Sequence, residues 1–368
     1  MTTNPLDADR PPELPRSGRR GGGGDVRRRR RDESIMVPDA EFQSYYGHQV
    51  VKPAPWKKEI PSYLFLGGVA AGSALIGAGG AAAGLSSLRR IGRVTAVGAA
   101  ALGGAALAKD LGKPSRALNM MRTVKLTSPM SVGSWILTAF SGFAGTALAA
   151  EVGRSVLDRD SFLAKLLRVV EPPATVGSAL FAPPLAAYTA VLLSDTASPT
   201  WHESYRELPF VFVSSANAAA SGLALLAAPT AENGPARKLA AVSAAAEVVA
   251  FERMQRTLGP TLSAPLHEGR AGALLRVSKL LTVGGAVGAV LFGHKRTGAA
   301  LSGLALLAGS ACTRFGVFEA GIESAKDPRQ TVEPQKQRLE GRRAAGASGG
   351  SITTSRSTDM PALQGGST

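Results

Sequence analysis

From Pro61 to Thr313 long apolar runs alternate with short polar stretches. Each run is close to the roughly 20 helical residues that cross a ~30 Å hydrocarbon core. A soluble amphipathic helix would carry a polar stripe at helical spacing. Leu64–Leu85 and Val132–Ala150 contain no charged residue and so have none. The clearest polar interruption is Asp110–Trp135, DLGKPSRALNMMRTVKLTSPMSVGSW, with Lys113, Arg116, Arg122 and Lys125 between two apolar runs. It reads as a loop at a bilayer surface.

The pattern predicts an all-α integral membrane domain over residues 61–314 with eight spans: Ser62–Ser86, Gly92–Lys109, Val132–Gly153, Ala174–Asp195, Leu208–Ala228, Arg237–Met254, Val277–Gly293 and Thr297–Thr313. Residues 1–34 are rich in Pro, Gly and Arg and read as a disordered basic tail. Residues 35–60 mix aromatics with prolines and read as a partner-docking arm or a linker. Residues 315–368 read as a polar, largely disordered tail. An even number of spans puts both termini on one side. Loop charges are nearly balanced between the sides, so Arg27–Arg31, Lys52, Lys57 and Lys58 favour cytoplasmic termini in a plasma membrane.

Composition then removes several functions. The net charge of +15 follows from basic tails and loops, and no aromatics are interleaved to stack on bases, so nucleic acid is not the expected partner. The single cysteine, Cys312, excludes an internal disulfide and an iron–sulfur cluster held by this chain. His48, His202, His267 and His294 lie outside the spans or at their ends, which argues against a membrane haem. No metal site is expected: His202-Glu203 lacks the second histidine of a zinc motif. Gly77–Ala82 fits a dinucleotide fingerprint only nominally, since it lies inside a span with no strand before it. Gly68/Gly72, Gly80/Gly84 and Gly284/Gly288 are spaced for close helix packing.

An ionisable group inside a span is costly and therefore a functional candidate. Glu247, in AAVSAAAEVVAF, is such a group, read either as a catalytic proton relay or ion site or as a structural carboxyl. Tyr188 follows Pro183-Pro184, which bend a helix and free backbone carbonyls.

Five stretches in order, SYYGHQVVKPAPW, EIPSYLFLGGVAAGSAL, DLGKPSRALNMMRTVKLTSPMSVGSWILTAFSG, AYTAVLLSDTASPTWHESYRELPFVFVSSA and ESAKDP, resemble the NrfD/PsrC family of polysulfide reductase-type membrane anchors. The resemblance implies eight helices, as two four-helix bundles, without haem. It implies electron exchange between the menaquinone/quinol pool and a ferredoxin-like iron–sulfur subunit that serves a molybdenum-type catalytic subunit. Versions with similar Arg-rich tails point to a formate dehydrogenase-like partner. A tyrosine in the block Tyr188-Thr189-Ala190 contacts quinone in the family, although its usual glycine is alanine here. Glu59 and Tyr63 stand where the family places polar quinone contacts, with tyrosine where one branch has histidine. Asp110 and Asn119 are expected to line the mouth of the site or to bind the partner. A transporter or proton-conducting module without a redox role, and a purely structural anchor, remain as alternatives.

Overall fold

The computed structural model describes residues 49–111 and 121–344. All regular elements among them are helices: α1 (Glu59–Ala82), α2 (Ser86–Asp110), α3 (Pro129–Val156), α4 (Phe162–Ser194), the short α5 (Pro199–Glu203), α6 (Leu208–Ala227), α7 (Gly234–His267), α8 (Gly269–Phe292), α9 (Arg296–Lys326) and α10 (Pro328–Ala344). Each of the eight expected spans lies mainly on one long helix; Ser62–Ser86 extends past the end of α1 to the first residue of α2, three others end one residue beyond their helix, and α4, α7 and α9 continue well outside the apolar runs. Residues 315–344, where the sequence suggests a polar tail, continue α9 and form α10.

By length and composition seven helices are apolar enough to cross a membrane: α1, α2, α3, α4, α6, α8 and α9. The chain is a multi-pass membrane protein. α7 is long enough but too polar for that set, because Arg237, Lys238, Glu247, Glu252, Arg253 and Arg256 lie along it. It still runs from one end of the assembly to the other. At the far face the Asn233 side-chain amide donates to the Gly293 carbonyl at 2.8 Å. At the near face, where α1 begins, the Thr200 hydroxyl donates to the Leu262 carbonyl at 2.9 Å. The helix breaks between these points at Gly259, whose φ of 69° suits glycine, and Pro260 follows.

α1 to α4 each pack on the next, and α4 returns to α1; α6 to α9 repeat that order, with α9 returning to α6. α1 also meets α6 and α9, joining the two sets. Small residues set these contacts. A Cβ on Gly72 would come within 2.7 Å of the Ala216 carbonyl oxygen and of the Ala220 Cβ. Bulky apolar side chains instead point outward, among them Leu102, Val169, Leu180, Val249, Leu280 and Leu301. That arrangement suits lipid as the surrounding solvent, since the hydrophobic effect does not drive apolar side chains inward there.

Of the expected arm, residues 49–58 are described. Ala54 and Trp56 pack against this chain's own core, and the Trp56 ring stacks on Trp201 with centroids 6.0 Å apart. Residues 1–48 and 345–368 lie outside the described residues.

Candidate functional site

The start of α1 brings two candidates onto one face, because Glu59 and Tyr63 are four residues apart. Glu59 pairs with Lys109 of the last turn of α2 at 3.0 Å. One turn deeper Tyr63 is 1% exposed, and among the described residues its hydroxyl has no hydrogen-bond partner. Its ring lies 6.5 Å from that of Tyr188 on α4, tilted by 57°. Glycines make the room. A Cβ on Gly103 of α2 would sit 3.4 Å from the Tyr63 ring, and one on Gly133 of α3 would overlap the Tyr188 ring. Four helices therefore converge on two phenols, one of them a buried donor without an acceptor, below an ion pair at the surface. A buried hydroxyl left unpaired costs free energy, so the geometry suits a ligand carbonyl that accepts from it.

Asp110 is exposed at the end of α2, next to Lys109. Asn119 lies outside the described residues. The sequence-predicted residues at the near face thus fall into one region for Glu59, Tyr63 and Tyr188, with Asp110 at its rim.

Glu247 belongs to a different cluster, among α7, α8 and α9, and among the described residues no hydrogen bond or ion pair links it to Tyr63 or Tyr188. It is 5% exposed. One carboxylate oxygen accepts from the Thr313 hydroxyl at 2.7 Å, and the other has no partner among the described residues. Ser278 Oγ is 2.5 Å from Thr313 Oγ1 and donates to the Gly309 carbonyl at 2.9 Å. A cavity of about 30 Å³ beside Glu247 is lined by Ser278, Thr282 and Thr313, with Glu252 and Lys279 at its edge. That volume accommodates a water molecule. Glu252 and Lys279 pair at 2.6 Å.

Two polar groups escaped the sequence reading. The first is Arg314, wholly buried, whose Nη2 donates to the Phe212 carbonyl at 2.5 Å while Nε and Nη1 have no partner among the described residues. A Cβ on Gly68 would approach that Nη2 to 3.0 Å, so Arg314 reaches the junction of α1, α6 and α9. Extending the eighth helix past Thr313, through the apolar FGVFEAGI that follows, would have placed Arg314 inside it. The second is a far-face network. Arg93 lies between Glu151 at 2.9 Å and Glu171 at 2.8 Å. Arg89 also pairs with Glu151, at 2.8 Å, and Arg154 with Glu171. Arg89 and Arg154 read as loop charges in one dimension, and Arg93, inside the second expected span, was not singled out; their carboxylate partners stand on other helices.

A family model described as Polysulphide reductase, NrfD, matches residues 48–250, more than half of the chain. The match takes in the tyrosine pair and Glu247 but ends before Ser278, Thr313 and Arg314. No curated protein matches the chain.

Proposed function

The chain belongs to the polysulphide reductase NrfD family, a family of quinone-interacting membrane subunits of oxidoreductase complexes that partner with iron–sulfur and catalytic subunits, and from that premise we propose that it exchanges electrons between menaquinone/quinol and a ferredoxin-like iron–sulfur subunit. A molybdenum-type enzyme, formate dehydrogenase-like, is the proposed final partner. The observation that carries the reading is the buried Tyr63 hydroxyl, without a partner among the described residues, beside Tyr188. A quinone has an apolar ring and tail and two carbonyl oxygens, and it supplies exchange of two electrons with two protons.

In this reading Tyr63 donates to one quinone oxygen and Tyr188 holds the ring. Glu59, paired with Lys109, exchanges protons with water at the near face, and Asp110 and Asn119 line the mouth. Glu247, with an unpartnered oxygen beside a water-sized cavity, is the proposed proton relay. Eight crossings arranged as two four-helix bundles, in the plasma membrane with cytoplasmic termini, complete the proposal. The near face then collects both the quinone contacts and the surface for the iron–sulfur subunit.

The unpartnered atoms of Glu247 and Arg314 favour one second reading, a proton-conducting module without redox work. Co-purification from mild detergent separates the two. An iron–sulfur protein, a large metal-containing subunit and extracted menaquinone support the redox reading, provided that Tyr188→Phe lowers quinone-dependent turnover with assembly intact. A chain that purifies without partners or quinone overturns it.

A further inference from the structure

A large recess in the described structure lies neither at the tyrosine pair nor at Glu247. It is a groove of about 910 Å³ at the near face, between the start of α1, the end of α7, the start of α8 and the end of α9. That volume matches a small-molecule site. Its lining follows α9 from Phe315 to Glu323, about 12 Å of helix, and continues to Asp327 just beyond it. The deep end is apolar, with Phe315, Phe318 and Ile322. The shallow end is charged and sits at the first turns of α1 and α8, where a bilayer meets water.

The rim carries both signs. Its cations are Lys57, Lys58, Arg270 and Arg329, and its carboxylates belong to Glu268, Glu319, Glu323, Asp327 and Glu333. Arg270 pairs with Glu319 at 3.4 Å, and Glu323 pairs with Lys326 at 2.7 Å. Among the described residues no salt bridge reaches Lys57, Lys58 or Glu268. An anionic headgroup would gain from the lysines and be repelled by five carboxylates. A headgroup with a phosphate and an ammonium meets a partner for each. One further atom narrows the choice. Gln330 of α10 lines the groove, is 5% exposed, and its side-chain carbonyl oxygen has no donor among the described residues. A buried acceptor without a donor is costly, and a primary ammonium has N–H groups to offer where a quaternary one has none.

We propose that the groove binds phosphatidylethanolamine from the surrounding bilayer. Its acyl chains lie against Phe315, Phe318 and Ile322. Its phosphate is bound by Lys57 and Lys58, and its ammonium by Gln330 and the neighbouring carboxylates. The lipid therefore ties the start of α1 to α10 across the groove, beside the Trp56–Trp201 stack. This site is independent of the quinone reading.

The test uses the full-length chain with any subunits that co-purify, delipidated in mild detergent and titrated with phosphatidylethanolamine, phosphatidylcholine or phosphatidylglycerol of equal acyl chains. Bound lipid is read by native mass spectrometry and stability by the unfolding temperature. The expected result is a preference of about tenfold for the ethanolamine over the choline lipid, the size of one charge-assisted hydrogen bond. Gln330→Leu should lower that preference severalfold and leave choline lipid binding unchanged. The exposed double variant Lys57→Gln/Lys58→Gln should weaken both zwitterionic lipids and cannot unfold a core. Equal binding of ethanolamine and choline lipids by the unmodified protein, or tighter binding of phosphatidylglycerol, overturns the proposal. So does retention of the tenfold preference in Gln330→Leu, or displacement of all lipid from the groove by a co-purified subunit.

Discussion

Arg314 lies over the ring of Phe212, its guanidinium carbon 3.8 Å from the centroid, and donates to the carbonyl of the same residue at 2.5 Å. One residue supplies both the aromatic face and the only hydrogen-bond acceptor found for a buried cation among the described residues. No carboxylate among the described residues comes within salt-bridge distance of it; the adjoining residue, Thr313, donates to buried Glu247 at 2.7 Å. Arg314→Met should therefore destabilise the protein more when Glu247 is present than when it is glutamine. The coupling in a double-mutant cycle of Arg314→Met with Glu247→Gln should be about 1–3 kcal/mol, read from unfolding in detergent. Additive effects would mean that the two side chains do not sense each other.

Tyr63 offers a separation of stability from function. Its hydroxyl is buried and has no partner among the described residues, so Tyr63→Phe should leave the unfolding free energy unchanged or raise it by about 1 kcal/mol. If the hydroxyl donates to quinone, turnover with quinone should fall about tenfold in the same variant. A destabilised Tyr63→Phe protein would reveal a partner for the hydroxyl within the chain.

Gly133 leaves the space that Tyr188 fills. Gly133→Ala must displace that ring, because a methyl group there overlaps it. The expected outcome is an assembled complex whose KM for quinone rises by about tenfold, an effect of the order of a misplaced contact. Normal quinone kinetics in Gly133→Ala would dissociate Tyr188 from the site.

Arg93 is the centre of the far-face network. Arg93→Met leaves Glu151 and Glu171 short of their shared partner in a buried setting, and should cost about 3–5 kcal/mol. Replacing both carboxylates as well, in Arg93→Met/Glu151→Leu/Glu171→Leu, should recover much of the loss. Thermal unfolding of the purified protein in detergent checks both. An Arg93→Met variant as stable as the parent would make the cluster a solvated set of surface charges.

The eight long helices were legible because lipid imposes a simple rule: a segment that crosses must be about 20 residues long and largely apolar. α7 is the long helix that this rule does not select: it carries six charged residues, of which Lys238, Arg253 and Arg256 are exposed and Glu247 is buried against Thr313 of α9. Tyr188 and Tyr63 were readable as candidates through family resemblance, but a one-dimensional pattern contains no distance between α1 and α4. Arg314 was missed for a related reason. A charge that follows an apolar run looks like its boundary, and only the packing of α1, α6 and α9 shows that the helix goes on through it.

The sequence by itself determined a membrane protein made of long helices, the order and ends of those helices to within a few turns, and the family to which the chain belongs. Hydrophobicity and short motifs are local properties, which is why they survive in one dimension. The tertiary structure alone decided that Tyr63 and Tyr188 face each other while Glu247 stands apart with Thr313. It also decided that Arg93 is neutralised by Glu151 and Glu171, and that Gln330 closes a groove begun by Lys57. Each of those relations joins residues on different helices. Such contacts depend on which small residues let two helices approach and on which polar groups find a partner away from water.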